Sequence, residues 1–69
     1  MAQIEPITIM VGSEEKIGCS LMVYTYFFNS FNRMRGDILD KDDNVLFTSV
    51  VTAKTFEEVA EQLNLKLLH

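Results

Sequence analysis

Residues 17–28 constrain this chain more than any other stretch. Val23, Tyr24, Thr25, Tyr26, Phe27 and Phe28 are all β-branched or aromatic. Such side chains fit a pleated surface and lose rotamer freedom in a helix. A helical alternative exists, because Ile17, Leu21, Tyr24, Phe28 and Phe31 also fall on one helix face, with Ser13 as a possible cap. Strand pairing separates the two. With Asn29-Ser30 as a two-residue turn, Phe28 opposes Phe31, Tyr26 opposes Arg33 and Tyr24 opposes Arg35. Thr25 then meets Met34, Val23 meets Gly36 and Leu21 meets Ile38. Opposed residues share a sheet face, so one face is largely apolar and the other is aromatic with arginine. The next turn, Lys41-Asp42-Asp43-Asn44, pairs Leu39 with Leu46, Ile38 with Phe47, Arg35 with Val50 and Met34 with Val51. The apolar face continues through Val45, Phe47 and Val51. Two turns agree on the buried face, and a one-residue slip in either breaks the agreement. The strand reading wins.

Ile7, Ile9 and Val11 alternate with Thr8 and Met10, which predicts a strand before a turn at Gly12-Ser13-Glu14-Glu15-Lys16. Near the end, Thr55-Phe56-Glu57-Glu58 forms a capping box, and Phe56, Val59, Ala60 and Leu63 follow at helical spacing, with Leu67 one turn further. Glu57 and Glu58 suit the positive end of that helix. The expected fold class is α+β, an antiparallel β-meander of about four strands with one C-terminal α-helix packed on one face. Residues 1–69 are read as a single small α+β domain, since no repeat, linker or low-complexity tract divides them.

The 69 residues carry 10 Asp and Glu against 6 Lys and Arg, a net charge of −4 that disfavours nucleic acid and anionic lipid and favours a basic partner. One cysteine forms no internal disulfide, so a reducing cytoplasm is the expected compartment for so small a domain. The first ten residues have no basic region ahead of an apolar one, unlike a signal peptide. The apolar run at residues 21–28 is about half a bilayer span.

Catalytic motifs are missing from the pattern. His69 is terminal, where chains fray, so it makes a poor base or ligand for Cys19, which is read instead as a buried cysteine on the apolar face. Gly12, Gly18 and Gly36 form no phosphate loop. Asp40, Asp42 and Asn44 match the first oxygen positions of a calcium loop, but Val45 and Val51 stand where Gly and Glu are required. No apolar pocket separates the clustered aspartates into acid and base. The expectation is a non-enzyme without metal or cofactor.

Two surfaces remain. Tyr24, Tyr26, Phe28 and Phe31 stand beside Arg33 and Arg35 on a sheet face that a single helix leaves uncovered, with Met22 and Leu39 nearby. That face suits a self-associating structural or accessory subunit, a protein contact or a small RNA-binding sheet, or it is simply held by cation–π neighbours. The other surface is acidic: Asp37, Asp40, Asp42 and Asp43 near one hairpin, and Glu57, Glu58 and Glu61 on the helix. Glu14 and Glu15 add charge at another turn, and ordinary solubilising charge is the plain alternative. In size, acidity and β-plus-helix build the chain resembles the small phage-encoded anti-CRISPR inhibitors. The resemblance implies blocking of a nucleic-acid-binding complex, by mimicry of DNA phosphates or by preventing assembly. It makes those seven carboxylates the contact residues, on a monomer or homodimer in a bacterial cytoplasm.

Overall fold

A computed structural model describes residues 1–28 and 31–68, with side chains apart from those of Phe27, Phe28 and Phe31. Four strands follow one another, β1 (Ala2–Val11), β2 (Glu14–Phe28), β3 (Phe31–Leu39) and β4 (Val45–Thr52), and then helix α1 (Phe56–Gln62). They form one antiparallel sheet in the order β1-β2-β3-β4. The β2–β3 register is the one expected, from Leu21–Ile38 through Tyr24–Arg35 to Phe28–Phe31, and it excludes the helical alternative. The expected Asn29-Ser30 turn and His69 lie outside the described residues. The first turn is tighter than its composition suggested: Val11 pairs with Glu14 around Gly12-Ser13, with Gly12 at φ +65°.

The β3–β4 register holds at Met34–Val51, Arg35–Val50 and Ile38–Phe47, but Leu39 pairs with Val45 rather than Leu46. One extra residue in β4 shifts the ladder there. Val45 and Phe47, expected to continue the buried face, are 52% and 46% exposed. For Val45 the reason is that shift, which sets it opposite Leu39; for Phe47 it is the helix, which at seven residues is too short to cover the outer end of β4.

The covered face is identified by Gly36. A Cβ on Gly36 would lie 3.0 Å from Val59 Cγ1 and 3.1 Å from Leu63 Cδ1, so its bare backbone lets α1 approach the sheet. Ile4, Leu21, Ile38, Ala60 and Leu65 form the core between the layers, with Ile7, Ile9, Val23, Phe56 and Leu63 packed against it. A second close approach corrects the reading of Cys19. Gly18 is turned inward: a Cβ there would come within 2.6 Å of Ile38 Cγ2 and 3.2 Å of Ile9 Cδ1. Cys19 is half-buried and free.

The cap on α1 follows the expected motif with a displaced return bond. The Glu58 N–H donates to Thr55 Oγ1 at 3.2 Å, while Glu58 Oε2 accepts from the Lys54 N–H at 3.0 Å. The helix ends earlier than its apolar spacing predicted. Asn64 adopts φ +58°, the Leu65 N–H donates to the Ala60 carbonyl and the Asn64 N–H to that of Glu61. This Schellman arrangement satisfies the last carbonyls and reverses the chain. Leu67 consequently leaves the helix and bridges Ile4 on the β1 edge.

Candidate functional site

Arg35 and Asp37 alternate with Gly36 along β3, so both point to the face opposite α1. The helix packs on the other face, against Gly36, and leaves this one without a helical layer among the described residues. Tyr24 and Tyr26 stand on it 42% and 44% exposed, with Val50 also exposed. Arg35 Cζ lies 5.2 Å from the Tyr24 ring centroid, and the Tyr24 hydroxyl donates to Met22 Sδ. Arg33 pairs with Tyr26 across the ladder, as expected. Its Nε is enclosed without a hydrogen-bond acceptor among the described residues. Phe28 and Phe31 belong to the same ladder, but their side chains lie outside the described residues.

Asp37 changes character. Expected on the acidic surface, it is only 1% exposed. Arg35 Nε and Nη2 each donate to its carboxylate at 2.9 Å, and Thr48 Oγ1 donates at 2.8 Å. A bidentate arginine and a hydroxyl compensate the loss of water around the carboxylate. The hydrogen bond to Asp37, and then its charge, raise the Arg35 guanidinium above its ordinary value. Asp37 is thus a fastener of the uncovered face, joining β3 to β4. The clue in the sequence is Arg35-x-Asp37, two opposite charges on one side of one strand.

Asp40 is also committed. Its carboxylate accepts from the Asp42 N–H at 2.8 Å, the Asn44 N–H at 2.9 Å and Asn44 Nδ2 at 3.1 Å. The Asn44 amide N–H first, and then its side chain, hold the Asp40 carboxyl below its usual range. A group lowered in the folded state stabilises above its unfolded pKa, and that contribution disappears as pH falls through the folded value. Asp40→Asn is expected to remove this acid-sensitive share, so denaturation midpoints of mutant and parent converge at low pH. A gap that stays constant with pH contradicts it.

The other five carboxylates, Asp42, Asp43, Glu57, Glu58 and Glu61, are exposed. The ion pairs among the described residues are Lys16–Glu14 and Arg35–Asp37, so none of the five is neutralised in one. The fold does not gather them into one patch. Asp42 and Asp43 precede β4, and the glutamates follow it, so they flank the two ends of an eight-residue strand. A strand of that length spans about 25 Å.

No group of three potential metal-ligating side chains occurs among the described residues. No helix among them is long and apolar enough to cross a membrane. No protein-family model matches the chain, and no curated protein or solved structure shows significant similarity to it.

Proposed function

We propose that this chain is a non-enzymatic cytoplasmic binding protein that occupies a basic surface of a partner, in the manner of the anti-CRISPR inhibitors it resembles. The observation that supports this reading is the set of carboxylates at Asp42, Asp43, Glu57, Glu58 and Glu61, exposed and outside any ion pair among the described residues. Unneutralised charge at both ends of β4 suits an extended basic groove, where phosphates would otherwise lie. Asp37 and Asp40 support the scaffold instead, because their oxygens are already hydrogen-bonded, and Glu58 shares that role through one oxygen in the helix cap.

The four changes Asp42→Asn, Asp43→Asn, Glu57→Gln and Glu61→Gln keep side-chain shape, and Asn tolerates the positive φ at residue 43. Together they are expected to slow association with the partner by about tenfold or more, and added salt should weaken the parent chain far more than the variant. Affinity capture from a bacterial lysate, followed by kinetics on the captured partner, measures both. Binding indifferent to salt and to these substitutions overturns the carboxylate reading.

A second reading rests on Tyr24 and Tyr26, which remain exposed beside Arg33 and Arg35 on the uncovered face. Here the face contacts another protein or a second copy, or single-stranded RNA stacks on the tyrosines. Quenching of tyrosine fluorescence by RNA at low salt distinguishes the RNA case.

A further inference from the structure

The two edges of the sheet are protected unequally. On β1 the Glu5 N–H donates to the Lys66 carbonyl at 2.7 Å, and the Leu68 N–H donates to the Gln3 carbonyl at 3.0 Å. Pro6 contributes no donor, and the β1 register slips between Gln3 and Ile7. A covering segment, a proline and an irregularity are the usual defences of a strand edge. β4 reads Val-Leu-Phe-Thr-Ser-Val-Val-Thr, with neither charge nor proline. Its extra residue lies between Val45 and Phe47, and Gln62 Nε2 engages the Thr52 carbonyl at 2.7 Å. Among the described residues, positions 47–51 are left without such a defence, and four of the five are β-branched or aromatic.

We infer that this edge pairs with the same edge of a second copy, antiparallel, about a two-fold axis at Ser49. That register sets Phe47 against Val51 on one face and Thr48 against Val50 on the other, apolar and β-branched pairs that stabilise ladders. The small Ser49 meets itself on the axis. The charges beyond the strand favour a second copy over an unrelated strand. The first charged side chain before β4 is Asp43, and the first after it is Lys54. Antiparallel pairing brings Asp43 of each copy towards Lys54 of the other, and the symmetry supplies that attraction twice. The result is one continuous eight-stranded sheet.

The test uses the full chain. Light scattering on the unaltered protein is expected to give a mass rising towards twice the 7.9 kDa of one chain as concentration increases. Phe47→Lys adds a charge at an exposed position and should keep the protein monomeric while its circular dichroism is unchanged. With Cys19 replaced by Ser, Ser49→Cys should oxidise rapidly to a covalent dimer, whereas Val50→Cys, which faces Thr48 of the other copy, should not. A parent chain that stays monomeric at millimolar concentration overturns the inference and leaves the edge to a different protein's strand. Equal oxidation rates at the two cysteine positions overturn the register and with it the proposed interface.

Discussion

Arg35→Met is expected to destabilise the fold more than Asp37→Asn, although both substitutions disrupt the same bidentate pair. The asymmetry comes from burial. Arg35 is partly solvated, whereas Asp37 is enclosed. Removing the guanidinium leaves the buried carboxylate with Thr48 as its one remaining side-chain donor, a loss of about 3 kcal/mol, at the low end for a broken buried pair because the arginine side faces water. A domain of this size has a total stability of roughly 3–10 kcal/mol, so the substitution removes about a third of it or more. Asp37→Asn leaves no buried charge and keeps an acceptor for Arg35 and Thr48, with an expected cost of about 1–2 kcal/mol.

Urea midpoints of the parent, Arg35→Met and Asp37→Asn at neutral pH measure the asymmetry directly. An Arg35→Met protein as stable as its parent at neutral pH contradicts the role given to the pair.

The second large effect concerns Gly18. An alanine there places Cβ 2.6 Å from Ile38 Cγ2, and that methyl sits on the branch of a buried side chain with no freedom to swing away. Overpacking of this kind costs about 1–3 kcal/mol. Leucine at residue 38 has no branch at Cβ, so Gly18→Ala combined with Ile38→Leu should recover part of the loss. Thermal denaturation of the two single variants and the double variant measures the coupling. Simple additivity rules out the contact as the cause.

The strand pairings were legible because alternation and two short turns each constrained the register independently. Leu21 opposite Ile38 and Tyr24 opposite Arg35 follow from counting outward from the turn. What escaped was every interruption of strict alternation. The inward Gly18, the Leu39–Val45 pairing and the early end of α1 at Asn64 each shift a side chain's face without altering its neighbours' hydrophobicity. Alternation places Phe47 on the helix side, yet burial depends on how far a short helix reaches, which periodicity does not encode. A run of acidic residues reads as one surface because charge carries no position. Asp37 belongs to Arg35 and Thr48, and Asp40 to its own turn.

The carboxylates divide their labour: Asp37 and Asp40 hold the fold, Glu58 returns a bond in the helix cap, and Asp42, Asp43, Glu57 and Glu61 are open to a partner. Competition against DNA for a panel of purified CRISPR effector complexes tests that division most directly. The parent chain is expected to displace DNA from at least one complex, more weakly as salt rises. The variant carrying Asp42→Asn, Asp43→Asn, Glu57→Gln and Glu61→Gln should fold normally and lose that effect. Full DNA occupancy at saturating parent chain across the panel, or equal potency of parent and variant, contradicts the account.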